Sequence, residues 1–462
     1  MEKWVKTAAI ILITAAISVG LTLALVKPSV PGQKDDGFNK LYTTYQKIHK
    51  EYYQNTDQKK MVDGAIQGMV QSLGDPYSEY MDSEKAKSFN ENISSSFEGI
   101  GAELQESNGH VLIVSPIKGS PAEKAGLKPR DEIVKVNGKN VAGKSVNDIV
   151  TMVRGKKGTT VKIRIDRQGS GLHEFTITRD KIPLETVYHE VSDGNIGKIQ
   201  VTKFSESTGD DFQKAVTDLQ NKKVKGIVID LRQNPGGLLD QAIKMSEIFI
   251  PKGKNILQVE SRDGSREVYR SQNDHPVTIP TVLLTDSGSA SAAEIMTAAL
   301  NESAGIPIIG EKTFGKGVMQ QAQEYPDGSS IKFTTAKWLT PSGKWIHKKG
   351  ITPDQKVSLP AYANLPLLNP SQTLKEGDSS PSVKAAQQLL NALGFKLDKE
   401  DGFFSKQMSD TVKKYQKEKK IPVTGTVDKE TVIHMVTTIQ KMLQENDTQY
   451  NAALNYLKKI NP

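Results

Sequence analysis

The sequence predicts a multidomain α/β chain: an α/β core with an inserted β-domain, a helical N-terminal region and a small helical C-terminal module, behind one N-terminal transmembrane helix. Three observations predict this. The 462 residues allow about three domains at roughly 150 residues each. Residues 7–26 carry no charge. Beyond them, the hydrophobic period switches between helical and strand-like stretches that are separated by Pro-rich linkers.

Taken in order, residues 1–26 are the anchor. Lys3 and Lys6 precede the run TAAIILITAAISVGLTLALV. About 20 helical residues span about 30 Å, one hydrocarbon thickness, and the basic flank favours keeping the N-terminus in the cytoplasm. A cleaved signal peptide is the rival, but its apolar stretch is usually shorter and no clean small-x-small site precedes Lys27. The expected location is the cell membrane, single-pass, with the rest of the chain extracytoplasmic. Residues 27–37 form a tether rich in Pro, Gly and charge. In residues 38–93, Leu41, Tyr45 and Ile48 recur at helical spacing, as do Met61, Ala65, Ile66, Met69 and Val70. Residues 94–181 read as short strands with one or two helices. Residues 182–360 alternate apolar strands (IVIDL at 227–231, TVLL at 281–284) with turns and helices. Residues 361–373 are a Pro-rich linker and 374–437 a helical module. Residues 438–462 form a last helix whose Ile439, Met442, Leu443, Leu454 and Leu457 would cap that module or join a dimer contact.

Composition narrows the chemistry. With 36 % hydrophobic and 25 % charged residues the chain is globular. Its net charge of +8 is spread along the chain rather than gathered in a patch, so no nucleic-acid partner is expected. Cysteine is absent, which excludes disulfides, thiol nucleophiles, thiolate metal sites and a lipid-modified cysteine. The seven His are scattered without HExxH spacing, so no metal and no cofactor is expected.

Within 94–181, FEGIGAEL at 97–104 places an apolar–Gly loop before a strand. Such a loop can turn backbone N–H groups toward a chain-terminal carboxylate while the strand edge accepts the peptide. SPAEKAGLKPRDEIVKVNGKNV at 120–141 adds a Pro-started helix, a Gly stop and an Asn-Gly turn. This stretch resembles a PDZ domain. The resemblance implies an apolar C-terminal ligand, with Gly99, Ile100 and Gly101 as the loop and Ile149 and Val153 as groove-helix walls. Arg154, at the end of that helix, is either ordinary complement to the helix dipole or a switch tying groove occupancy to the core. In the C-terminal module, the Gly402-Phe403-Phe404-Ser405 pattern echoes Gly425-Thr426-Val427-Asp428, each a Gly turn before a helix N-cap. The module resembles the three-helix peptidoglycan-binding domain, so peptidoglycan is an expected partner.

TDSGSASAAEI at 285–295 follows a strand and opens a helix, where dipole and free N–H groups favour a developing oxyanion. A serine there can equally be an N-cap. TFGKGVMQ at 313–320 changes the balance, because Lys316 between two glycines suits a site that backbone must approach closely. Strand alternation would put Gln320 on its face to orient it. A lysine base must be neutral, which requires its charge to be destabilised by about 4 kcal/mol; an apolar, Gly-lined pocket can supply that. Serine with lysine is an alternative to Ser-His-Asp. A triad from His275, Asp286 and Ser291 is the weaker arrangement.

Together these motifs resemble the carboxyl-terminal processing peptidases, or tail-specific proteases, over nearly the whole chain, including the separation of 25 residues from 291 to 316. The resemblance implies a crotonase-like protease core with an inserted PDZ β-domain, Ser291 as nucleophile rather than Ser289, Lys316 as general base and Gln320 as its orienter. Backbone N–H groups of Gly236 and Gly237, in DLRQNPGG at 230–237, and of Ala292 form the implied oxyanion hole. Residues 38–93 are implied to make a homodimer. The expected function is a membrane-anchored serine endopeptidase acting on proteins with apolar C-terminal tails. The alternative is a non-catalytic PDZ and cell-wall scaffold with a degenerate protease fold.

Overall fold

The structure, a computed structural model, describes residues 36–107, 109–192 and 194–460. The anchor expected at 7–26 lies outside them. Among the described residues no helix is long and apolar enough to cross a membrane.

Among the described residues, those up to Tyr80 form one unit and those from Met81 onward a second. In the first, α1 (Asp36–Glu51) and α2 (Gln58–Gln71) are amphipathic. Asp57 caps α2, its carboxylate accepting from the Lys60 N–H at 3.1 Å. Leu41, Ile48 and Met69 remain exposed in this unit.

The second unit begins with α3 (Ser83–Ser94) and β1 (Ser96–Gly99). The β-domain follows, with β2 (Ala102–Ser107), β3 (His110–Pro116), short helix α4 (Pro121–Lys124), β4 (Glu132–Val136), β5 (Lys139–Asn140), α5 (Val146–Val153), β6 (Thr160–Arg167) and β7 (Gly171–Thr178). The sheet order is β2-β3-β4-β6-β7, with β5 paired to β4. On β6 the alternation is plain: Val161, Ile163 and Ile165 are buried while Lys162 and Arg164 face outward. Buried Asp131 would be raised by its burial, but the bidentate Arg167 (2.7 Å to each oxygen) and the Lys128 N–H hold its carboxyl below the usual range. The strand β8 (Asp180–Pro183) returns antiparallel to β1, so a two-stranded ribbon joins this domain to the core.

The core contains β9 (Val187–Ser192), β10 (Ile196–Val201), α6 (Thr208–Asn221), β11 (Gly226–Asp230), α7 (Leu239–Glu247), β12 (Asn255–Ser261), β13 (Arg266–Arg270), β14 (Thr281–Thr285), α8 (Ala292–Ala304), β15 (Ile308–Gly310), β16 (Val318–Glu324), β17 (Ser330–Leu339) and β18 (Gln355–Lys356). One sheet runs β9-β10-β11-β14-β15-β18, parallel except for β9. Its central strands are buried on both faces, which explains their uninterrupted apolar runs. Ile227, Ile229 and Leu283 face α6, α7 and α8. Val228, Val282 and Leu284 face the other way. A second, antiparallel sheet holds β16, β17, β12 and β13 in that order, with Trp338 fully buried.

The C-terminal module packs α9 (Pro381–Ala392), α10 (Lys406–Lys419) and α11 (Lys429–Glu445) around Leu390, Met408, Tyr415 and Met435. The internal echo has a structural basis. Ser405 and Asp428 cap α10 and α11, accepting from the N–H of Met408 and Thr431. Each preceding Gly turn is latched by a buried glutamine: Gln387 accepts from Gly402 N–H and Gln416 from Gly425 N–H, both at 2.9 Å.

The segment 438–462 is not one helix. The chain breaks at Asn446, so Ile439, Met442 and Leu443 belong to α11 and the module. Asp447 then caps α12 (Thr448–Ile460) through Tyr450 N–H at 2.9 Å. Ala453 and Leu457 of α12 cover the second face of the core sheet, against Val228, Val282 and Leu284. The apolar residues expected to cap the module thus serve two different cores.

Candidate active site

Strand β14 ends at Thr285 and α8 starts at Ala292; the turn between is built by Asp286. Its carboxylate accepts from the N–H groups of Gly288 (2.9 Å), Ser289 (3.1 Å) and Gln233 (2.9 Å), and from the Gln233 amide (2.7 Å). Those bonds commit Asp286 to the loops, and His275 is exposed, so the Ser-His-Asp alternative finds no support here. Ser289 is also committed: fully buried, it donates to Leu231 C=O at 2.8 Å and accepts from Asp286 N–H at 3.0 Å. Ser291 differs. It is half-buried and sits at φ 54°, ψ −115°, a conformation that costs a non-glycine residue about 1–3 kcal/mol. This strained corner presents it at the N-terminus of α8.

Glu294 holds the corner. It is fully buried in the first turn of α8. One oxygen accepts from the N–H of Ser291 (2.9 Å) and of Lys316 (2.8 Å); the other accepts from Gly315 N–H (2.7 Å) and Thr313 hydroxyl (2.5 Å). The Ser291 corner and the lysine loop therefore meet on one carboxylate oxygen. Sequence analysis assigns Glu294 no role of its own. Its position three residues after Ser291, the capping-box spacing, was the available signal.

The lysine loop is clamped on its other side too. Trp338 donates to Lys316 C=O (2.9 Å) and Trp345 to Gly317 C=O (2.8 Å). A Cβ on Gly317 would lie 2.8 Å from His347 N, so this approach requires glycine. Lys316 itself is half-buried. It precedes β16, so strand alternation does not extend from it to Gln320, whose amide donates to Thr334 across β17 at 3.3 Å.

Between β11 and α7, the turn 231–237 lies against Ser291. A Cβ on Gly236 (φ 96°) would come within 2.8 Å of both Ser291 Cβ and Ala292 N. Asn234, fully buried, pins the turn: its amide donates to Val201 C=O (2.7 Å), its oxygen accepts from Gly236 N–H (2.9 Å), and its own C=O accepts from Ala290 N–H (2.9 Å). The Gly236 N–H expected in the oxyanion hole is therefore already engaged. Phe204 brackets Gly237: its N–H donates to Gly236 C=O at 3.0 Å and its C=O accepts from Leu238 N–H at 2.8 Å. Ala292 is the first residue of α8, so its N–H has no intrahelical partner. Of the three N–H groups the resemblance implies, the turn thus engages that of Gly236.

On the β-domain, Gly99, Ile100, Gly101, Leu104, Val150, Val153 and Arg154 line a cavity of about 100 Å³ between β2 and α5. Ile149 does not: it is fully buried in the domain core, and Val150 takes the groove position. Arg154 lies 4.8 Å over the Phe97 ring on β1 and 3.4 Å from Glu91 on α3.

Comparison with known proteins agrees with this architecture. Residues 195–357 match Peptidase family S41, 112–167 a PDZ domain, 379–435 a putative peptidoglycan binding domain and 23–85 the domain described as the activating protease CtpB N-terminal domain. The class so defined is a serine peptidase with a PDZ domain. The chain is 53 % identical over 465 residues to the carboxy-terminal processing protease CtpA of Bacillus subtilis, covering 99 % of this chain and 100 % of that protein. It is 43 % identical to CtpB of the same organism, covering 92 % and 90 %. A solved photosystem II D1 C-terminal processing protease is similar at 28 % identity and TM-score 0.43, over 70 % of this chain and 88 % of that one. The chain belongs to the carboxy-terminal processing proteases of peptidase family S41.

Proposed function

We propose that this chain is a membrane-anchored, extracytoplasmic endopeptidase that cleaves proteins presenting apolar C-terminal tails, with Ser291 as nucleophile and Lys316 as general base. The observation that carries this reading is the shared Glu294 oxygen, which holds the Ser291 and Lys316 backbones together. A tail adds to β2 as an extra strand, its terminal apolar side chain in the cavity of Val150 and Val153. Ser291 Oγ attacks the scissile carbonyl as Lys316 Nζ takes its proton. The oxyanion rests on the Gly237 and Ala292 N–H groups. Lys316 returns the proton to the leaving amine, and water then releases the acyl group. The anchor reading rests on residues 7–26, and the homodimer reading on the exposed Leu41, Ile48 and Met69. The C-terminal module is the proposed contact with peptidoglycan.

The test is β-casein digestion. Ser291→Ala is expected to lower turnover by about 10⁴-fold or more, while Ser289→Ala, if folded, and His275→Ala keep the activity. Undiminished cleavage by Ser291→Ala would overturn the assignment.

Arg154 supports a link from groove to core, since it bridges the end of α5 to both β1 and α3. Arg154→Ala is expected to slow cleavage of a tail-bearing substrate about tenfold and leave an unstructured one unchanged. Equal effects on both would remove the switch reading.

A further inference from the structure

The turn that carries the Gly237 donor is anchored from the far end of the chain. Arg232 opens that turn, and all five of its N–H groups are used. Nε and Nη2 bind Asp230 at 2.8 and 2.6 Å, Nη2 and Nη1 bind Asp447 at 2.7 and 2.9 Å, and Nη1 also binds Gln449 Oε1 at 2.9 Å. The cluster is largely buried, with side-chain exposures of 12 % for Arg232, 3 % for Asp230 and 18 % for Asp447. Burial opposes the charges, but the pairing prevails: Arg232 is held protonated and Asp447 below the usual carboxylate range. Asp230 ends β11 and also accepts from Arg232 N–H at 3.1 Å, so one side of the clamp is local. The other side comes from 215 residues away. There Asp447 caps α12, Gln449 donates to Val357 C=O (2.9 Å) and Thr448 to Ser358 C=O (2.7 Å).

Downstream of Arg232 the turn has little slack. Gln233 is left-handed (φ 55°) and tied to Asp286, Asn234 is tied to Val201 and Ala290, and Gly236 abuts Ser291. A shift at Arg232 therefore passes to the oxyanion donor rather than being absorbed.

We infer that Asp447, acting through Arg232, is a positioning residue for the oxyanion turn, so that the start of α12 is part of the catalytic apparatus although it follows the C-terminal module. This rests on the Ser291 reading above. Sequence offers no hint of it, because a lone aspartate before a helix is first an N-cap.

The experiment measures kcat and KM of the full chain on β-casein at low temperature, with melting curves, for Asp447→Asn, Asp447→Glu and Arg232→Lys. Asp447→Asn keeps an oxygen to cap α12 but loses the charge that faces Arg232. It is expected to lower kcat about 10- to 100-fold, short of the full loss of an oxyanion donor, with KM within about twofold and the fold intact at the assay temperature. Asp447→Glu is expected to recover part of the rate. Should Asp447→Asn fail to fold, Arg232→Lys serves: it keeps the charge but lacks the fork that spans two carboxylates, and is expected to lose kcat in the same way. Wild-type kcat in a folded Asp447→Asn or Arg232→Lys protein overturns the inference, as does a loss confined to the melting temperature. Ser291→Ala is run alongside. If it is inactive while the clamp variants are not, only the positioning role falls; if it cleaves, the site reading falls first.

Discussion

Lys316→Ala is expected to abolish β-casein cleavage, with a fall in kcat of about 10⁴-fold or more, while the protein stays folded. The reason is chemical. A serine hydroxyl is a poor nucleophile unless a neighbouring base takes its proton, and the lysine loop is the segment that Glu294 fastens to Ser291. The loop backbone is held at this residue by bonds that do not use the lysine side chain. Its N–H is held by Glu294 and its C=O by Trp338, and both contacts survive truncation to alanine. Loss of activity can thus be separated from loss of structure by comparing melting curves. The two alanine variants should be non-additive: once Ser291 is gone, removing Lys316 costs nothing more, as expected for residues acting as a unit. A folded Lys316→Ala protein with unchanged turnover would sink the Ser–Lys assignment. A partial loss rescued at high pH would point to a different base.

The parts of this site legible in the sequence are those fixed locally. The strand β14, the turn and α8 follow from a short apolar run, Gly and Ser, then good helix formers, and the Gly236–Gly237 turn announces itself by composition. The inserted domain and the repeated Gly-turn and N-cap pattern of the C-terminal module were legible for the same reason. What escaped depends on distant partners. Glu294 bonds to Gly315 and Lys316 more than 20 residues on, and Arg232 to Asp447 across most of the core and the whole C-terminal module. A single sequence carries no record of such pairings. The exchange of Ile149 for Val150 in the groove is a subtler miss. On a two-turn helix wedged between a core and a groove, both residues are apolar, and only the helix's rotation decides which faces which. The split of residues 438–462 has the same origin. Two apolar stretches with helical spacing read as one helix until Asn446 and Asp447 are seen to end one and cap the next.

Glu294→Gln carries the second large expected effect, and it tests the architecture rather than the nucleophile. The carboxylate receives four donors, two on each oxygen, in a fully buried setting. An amide of the same shape has one oxygen. Whichever way it turns, its NH₂ group confronts two donors, either the Ser291 and Lys316 N–H groups or the Gly315 N–H and Thr313 hydroxyl. Leaving such buried donors unmet costs about 1–3 kcal/mol each. A net loss of about 3 kcal/mol is expected, a fall in melting temperature of roughly 6–12 °C for a core of this size. If the Ser291 and Lys316 pair is sacrificed, the corner and the loop part and kcat falls by at least about 100-fold. If the Gly315 and Thr313 pair is sacrificed, the lysine loop is released one residue earlier and kcat falls by a similar factor. Activity therefore drops in either orientation, although no reacting atom has been removed. Glu294→Asp should fare no better, because its carboxylate is one methylene short and cannot span both segments. Kinetics with a small ester substrate, which needs no tail recognition, would show the loss in kcat with KM little changed. A Glu294→Gln protein with wild-type melting temperature and kcat would mean that the shared oxygen does not organise the site.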